Sequence, residues 1–312
     1  MILIDWWSPK PHLEFNKNLY KFMSDVNQLY IFDSHLKGLE DKCILKKNYK
    51  SRFLRAFSVI NICLKHRKEK IFFISYDVLF IPIIQVFAKK IFCYEHNTTP
   101  ESLELNKHAL WQRLTFFNIK RLCQSLSQKN QLDKINQKSY WVGLPVSETE
   151  RLIKEYREKV FVFVSERLNA NDAKKIVPHL YGKLLVKKSI KDFNELNIPM
   201  EIKVYRKEKI NIPEDFNNAE ALIIAINSNI RGTGWYIEAL KYGVPIIITS
   251  KKQAKVFEST YPGYPFISTD DINSKSCLKD RIRVLREFDN QTYVENYMID
   301  FKNRLMSAFN DE

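Results

Sequence analysis

Residues 219–250 read AEALIIAINSNIRGTGWYIEALKYGVPIIITS and compress a strand, a loop of small residues, a helix and a second strand into 32 positions. The run 221–226 is continuously apolar, which suits a strand covered on both faces in a parallel sheet, and 244–249 is a second run of that kind. Between them, Gly232 and Gly234 let backbone approach a ligand closely, and a helix starting at Thr233 or Gly234 offers free amides that favour a phosphate. Glu238 falls about one turn inside that helix, where a carboxylate reaches a sugar hydroxyl rather than a phosphate. Gly243, Val244 and Pro245 then end the helix and open the next strand. The whole stretch predicts one half of a nucleotide-binding site.

Outward from this stretch, strand and helix patterns alternate, which predicts an α/β chain with right-handed crossovers and parallel sheets. Strands are expected at 2–6, 29–32, 71–75, 91–95, 140–143, 160–164, 184–187 and 201–205, with a short one at 123–126. Helices are expected at 13–23, 46–65, 78–89 and 103–122. Val294, Tyr297, Phe301, Leu305 and Phe309 mark one face of a last helix. The 46–65 helix carries Phe53, Leu54, Phe57, Ile60 and Leu64 on one face, with Lys46, Lys47, Lys50, Arg52, Arg55 and Lys65 around them. Such a basic amphipathic helix either meets an anionic bilayer or packs on the sheet as a crossover.

The 312 residues suffice for two domains of about 150 residues each. A 45% hydrophobic and 13% aromatic content belongs to a globular chain, not a disordered one. The N-terminus MILIDWW lacks the basic region of a signal peptide, and no window approaches a membrane span, so a cytoplasmic protein is expected, peripheral at most on the inner membrane's cytoplasmic face. Cys43, Cys63, Cys93, Cys123 and Cys277 are scattered and odd in number, which argues against a disulfide framework or a zinc site. The net charge of +14 is uneven: residues 1–155 hold 25 Lys and Arg against 15 Asp and Glu, and residues 156–312 hold 25 against 21. The first half is therefore expected to face something anionic, whether an acidic membrane surface, an anionic glycan or a nucleic acid.

Ligands of parallel sheets bind outside the carboxyl ends of the strands. The strand at 91–95 ends in Glu95, His96 and Asn97, which makes His96 and Glu95 the catalytic candidates and Asn97, Asp77 and His12 acceptor-binding candidates.

The run Glu238-Ala239-Leu240 followed by Gly243-Val244-Pro245-Ile246-Ile247 resembles the Glu-Ala-x-x-x-Gly-x-Pro-hydrophobic signature in the C-terminal domain of GT-B glycosyltransferases. The resemblance is most specific over 155–270. It implies two Rossmann-like domains facing each other across a cleft: 1–150 for the acceptor, 151–289 for the nucleotide-sugar, and a 290–312 helix crossing back. It also implies that Glu238 binds the donor ribose. Many retaining members carry an earlier glutamate seven positions before it; Arg231 stands there in this chain and suits the diphosphate instead. Arg167 and Lys174 lie near where the family holds the diphosphate, and Tyr205 ends a strand near the expected nucleobase.

Glycosyl transfer needs neutralisation of the departing diphosphate, a grip on the nucleoside and a group that handles the acceptor proton. Arg167, Lys174, Arg231 and the amides around Gly232, Thr233 and Gly234 supply the first. No metal and no cofactor is expected beyond the nucleotide-sugar co-substrate, whose base the sequence leaves open, because fixed cations replace the ion and no Asp-x-Asp triplet is present. An inverting enzyme would draw its base from His96, Glu95, Asp77 or His12; a retaining one would lean on the departing phosphate. The resulting expectation is a transferase acting on a glycan or lipid-linked acceptor in bacterial surface polysaccharide or lipopolysaccharide synthesis. The alternatives are a transferase acting on nucleic acid, such as a phage enzyme that decorates DNA bases, and a non-catalytic binding module.

Overall fold

Two parallel sheets account for the alternation, each with its strand order reversed once. The computed structural model describes residues 1–7, 18–19, 23, 28–31, 43–46, 49–96, 99, 107–146, 160–164, 176–187, 201–205, 219–226, 228, 230 and 234–311. Contacts divide the chain into one unit of Met1–Ser147 with Ile299–Glu312 and another of Glu148–Met298.

The first unit holds β1 (Ile2–Asp5), β2 (Gln28–Ile31), β3 (Cys43–Leu45), β4 (Lys70–Ser75), β5 (Lys90–Glu95), β6 (Ile119–Cys123) and β7 (Ser139–Trp141), in the order β3-β2-β1-β4-β5-β6-β7. All neighbours are parallel. The helices α1 (Arg52–Lys65), α2 (Ile81–Ile84), α3 (Lys107–Thr115) and α4 (Leu126–Asp133) connect them. Alternate strand residues serve opposite faces. Ile2, Ile4, Ile71, Phe73, Ile91 and Cys93 share a core with Val59, Ile62 and Cys63 of α1. Phe72 and Phe92 meet the edge of the Phe309 ring, at centroid distances of 5.4 and 4.7 Å. Phe309 belongs to α8 (Asn290–Asn310), whose last part also anchors through Arg304 Nε donating to the Val142 carbonyl at 3.1 Å.

The second unit orders β8 (Val160–Val164), β9 (Lys183–Lys187), β10 (Glu201–Tyr205), β11 (Ala219–Ile224), β12 (Ile246–Ile248) and β13 (Ile267–Ser268) as β10-β9-β8-β11-β12-β13. Its helices are α5 (Gly234–Tyr242), α6 (Lys251–Thr260) and α7 (Lys275–Glu287). Arg286 of α7 pairs with Glu220 of β11 at 2.6 Å, and the Tyr181 hydroxyl donates to the same carboxylate. Tyr236, Phe257 and Tyr261 form a buried edge-on aromatic layer that continues to Tyr297 of α8.

Several expected elements differ. The helix expected at 46–65 begins at Arg52, because Cys43–Leu45 pairs with β2 as a strand. The apolar helix expected at 78–89 is a single turn starting at Ile81; Pro82 has no amide to donate and fits only a first turn. The helix expected through 122 stops at Thr115, and Ile119–Cys123 is an inner strand. Lys120 and Arg121 hid that strand, since a fully buried arginine breaks the apolar pattern. The strand expected at 123–126 gives way to α4, whose N-cap Ser125 accepts from the Gln128 amide at 3.1 Å. The strand β13 and the helices α6 and α7 were not anticipated. The helix expected at 13–23 lies largely outside the described residues.

Candidate active site

In the first sheet the order reverses between β1 and β4, the place where an open parallel sheet leaves a crevice at its carboxyl edge. The two strands are stitched there by side chains. Ser75 Oγ donates to Asp5 at 2.5 Å and accepts from the Trp7 amide at 2.9 Å, and the Trp7 indole donates to the Tyr76 carbonyl at 3.2 Å. Arg55, itself buried, donates to the Trp6 carbonyl and stacks 4.9 Å over the Trp7 ring. Asp5 and Ser75 escaped the sequence reading; a carboxylate as last residue of an apolar strand was the available signal.

Asp77 is buried and takes a two-pronged bond from Arg52, at 2.9 and 2.7 Å, while its Oδ1 also accepts from the Leu79 amide. Its charge is thus balanced from the helix before it.

Glu95 ends β5 and is completely buried. Arg121 donates to both of its oxygens at 2.7 Å, Tyr76 donates at 2.6 Å and Thr99 at 3.0 Å. Arg121 also reaches Gln112 of α3 at 2.6 Å. Burial alone would push Arg121 toward neutrality, but Glu95 and Tyr76 outweigh it and hold the guanidinium above its ordinary range. Burial likewise drives the Tyr76 hydroxyl well up, so it donates and stays neutral. Gln128 fastens the strand end from below, its amide donating to the Glu95 carbonyl at 3.2 Å.

His96 follows directly. Its Nδ1 lies 3.3 Å from the Gln124 side-chain nitrogen, and its ring packs 4.9 Å from the Tyr94 ring. Gln124 sets the tautomer. With its nitrogen toward Nδ1 the imidazole carries its proton on Nε2; turned over, its oxygen accepts from Nδ1–H and leaves Nε2 basic.

In the second sheet the reversal lies between β8 and β11, so the switch-point strands end at Val164 and Ile224. The chain leaving Ile224 turns with the Ile230 amide bonded to Ser228 Oγ, then enters α5 at Gly234, where an added Cβ would meet nothing within 4 Å. Glu238 lies half-buried on α5, between Tyr236 on one side and Ala239 and Leu240 on the other, all three buried. The Tyr236 ring packs on Phe257 and Tyr261. Tyr236 accepts from the wholly buried Gln253 of α6, and burial pushes its hydroxyl above the ordinary range. The helix closes at Gly243, φ +61°, with the Val244 amide returning to the Ala239 carbonyl at 2.9 Å. Tyr205 ends β10. His12, Asn97, Arg167, Lys174, Arg231, Gly232 and Thr233 lie outside the described residues.

Among the described residues no group of three or more His, Cys, Asp or Glu is gathered as a metal site, and no helix is long and apolar enough to cross a membrane. The buried thiols of the first sheet are poor nucleophiles: burial pushes Cys63 up to about 12 and holds Cys93 and Cys123 well above the ordinary thiol range.

No family model and no curated protein matches the sequence. Solved structures do match in three dimensions. A glycosyltransferase from Rickettsia africae shares 13% identity at a TM-score of 0.64, over 99% of this chain and 97% of its own. WaaG, a glycosyltransferase involved in lipopolysaccharide biosynthesis, shares 11% at 0.54 over 99% of both chains. T4 phage BGT, solved with its UDP-glucose substrate, shares 11% at 0.53 over 99% of both. The chain therefore has the α/β fold with two Rossmann-like domains that these glycosyltransferases share, along its whole length.

Proposed function

We propose that this chain is a metal-independent glycosyltransferase that moves a sugar from a nucleotide-sugar to a glycan or lipid-linked acceptor, in bacterial surface polysaccharide or lipopolysaccharide synthesis at the cytoplasmic face of a membrane. One observation carries the reading: Glu238 sits half-buried on the helix that follows the switch-point strand β11, in a chain whose fold matches glycosyltransferases from end to end. The involvement of WaaG in lipopolysaccharide biosynthesis supports the pathway side.

In this reading Glu238 accepts from the donor's ribose hydroxyls. Arg167, Lys174, Arg231 and the amides near Gly232, Thr233 and Gly234 neutralise the diphosphate as it departs, which is work that fixed cations and a helix N-terminus perform without an ion. Tyr205 borders the nucleobase. On the acceptor side His96 handles the hydroxyl proton, as a base when Gln124 presents its oxygen to Nδ1. Glu95 is a positioning residue: with Arg121, Tyr76 and Thr99 on its oxygens, it holds the strand end that carries His96. Asp77, His12 and Asn97 complete the acceptor side.

The test is nucleoside diphosphate release from a panel of nucleotide-sugars, with extracted bacterial lipid-linked glycans as acceptors. Release that depends on the acceptor extract supports the proposal. Release that depends instead on added duplex DNA supports transfer to nucleic acid, for which the +10 balance of residues 1–155 is the motive. Absence of both leaves a binding module.

A further inference from the structure

Among the described residues, eleven of the fifteen large hydrophobic side chains that stand exposed lie between Phe53 and Phe117. On α1 the inward residues Ala56, Val59, Ile62 and Cys63 are sealed into the sheet's core, which makes it a crossover helix. Its opposite side should then be polar. Instead Phe53, Leu54, Phe57 and Leu64 are outside, the two phenylalanines 66% and 63% exposed. Four of the five apolar residues that the sequence sets on one stripe are thus outside, and only Ile60 packs against the core.

The stripe continues onto its neighbours. The Phe53 ring meets Phe80 edge-on at 5.3 Å, just before α2, around which Leu79, Ile83 and Val86 are exposed. Trp111 of α3 donates to the Val78 carbonyl at 3.1 Å, and Gln85 bridges to the Thr115 carbonyl and the Phe117 amide. Leu110, Trp111, Leu114 and Phe117 are again exposed. Pro82, Gln85, Val86, Thr115, Phe117 and Asn118 line a hollow in this surface.

Charge identifies the occupant. Residues 46–120 hold 14 Lys and Arg against 5 Asp and Glu. Of the acids described there, Asp77 and Glu95 are buried against Arg52 and Arg121, and Glu69 bonds His66 at 2.8 Å. Along the same segments Lys50, Lys65, Arg67, Lys68, Lys107 and Arg113 are exposed. Phosphate-backbone contacts would leave Val86, Leu114 and Phe117 in water, whereas exposed apolar side chains on a basic segment match acyl chains beneath anionic headgroups.

We propose that the outer face of α1, α2 and α3 docks this protein on an anionic bilayer, with Phe53, Phe57, Val86, Leu114 and Phe117 entering the headgroup boundary. The inference deepens the membrane-side acceptor proposed above and rests on it. The test is sedimentation with vesicles of phosphatidylglycerol and phosphatidylcholine, against vesicles of phosphatidylcholine alone, for the full chain and for Phe57→Ser/Leu114→Ser. The proposal expects binding to the anionic vesicles that weakens with salt, and a loss on the order of 10-fold in the double variant at unchanged melting temperature. A second readout is quenching of tryptophan emission by brominated phosphatidylglycerol, smaller in Trp111→Phe. Failure of the wild type to bind anionic vesicles overturns the proposal. So does concentration-dependent dimerisation that the double variant abolishes, which would assign the face to a second copy, or salt-sensitive duplex DNA binding without vesicle binding. Glu238→Ala should keep vesicle binding while the double variant keeps nucleotide binding, so the docking face and the donor site fail separately.

Discussion

Arg121 meets Glu95, the residue before His96, through both carboxylate oxygens at 2.7 Å, with both side chains wholly shielded from solvent. Removing one partner strands the other's charge in the interior. Arg121→Met should therefore lower stability by about 3–5 kcal/mol, and adding Glu95→Gln should recover part of that loss. Denaturant unfolding of both variants measures it; equal stability for Arg121→Met and wild type would mean that the network is not closed as described.

His96 and Gln124 make a graded prediction about chemistry. His96→Ala should reduce turnover about 10²–10⁴-fold at unchanged donor affinity if, as proposed, the imidazole acts on the acceptor proton. Gln124→Glu, which offers only acceptor oxygens to Nδ1, should retain activity, whereas Gln124→Lys should lose it. Steady-state rates with a fixed donor separate these outcomes.

The end of α5 depends on backbone conformation and on one distant side chain. Gly243 is in the left-handed region, and the Asn290 side chain donates to the Leu240 carbonyl at 2.6 Å while accepting from Tyr264 at 2.9 Å. A Cβ at Gly243 would stand 3.6 Å from Asn290, an ordinary contact, so Gly243→Ala should cost about 1–2 kcal/mol for conformation alone. Asn290→Ala should cost about 1 kcal/mol through the uncapped carbonyl. Chemical denaturation checks both.

Alkali should destabilise the fold in a way that Cys63 reports. Below the ordinary thiol range Cys63 is protonated whether folded or unfolded. Above it the unfolded chain releases the proton, while the folded chain holds it until about 12. The unfolded state then binds fewer protons, so stability falls as pH rises, by about 1.4 kcal/mol per pH unit for this thiol. Denaturant melts above pH 9 should show a shallower fall in Cys63→Val than in the wild type.

The fold was legible where burial is two-sided and apolar. Ala219–Ile224 and Lys70–Ser75 announce strands because nearly every side chain in them is inside. Ile119–Cys123 did not, because its buried Arg121 is neutralised by Glu95 from the neighbouring strand, a partnership that no local pattern reveals. The same limit applied to function. The position of His96 after a strand could be read from the sequence, but the engagement of Glu95 by three donors, and the Asp5–Ser75 link across the switch point, exist only once β1, β4, β5 and β6 are side by side. The outer stripe of α1 was visible in sequence, and only packing told which of its two apolar sides faces the sheet.

A nucleotide-sugar site built on α5 is open to a direct thermal test. Wild type and Glu238→Ala are melted with UDP, GDP, CMP, ADP and their sugar conjugates, since a ligand that binds only the folded state raises the midpoint. The expected result is a rise with one nucleotide class that Glu238→Ala loses. A rise that is undiminished in Glu238→Ala, or no rise with any of them, would contradict it.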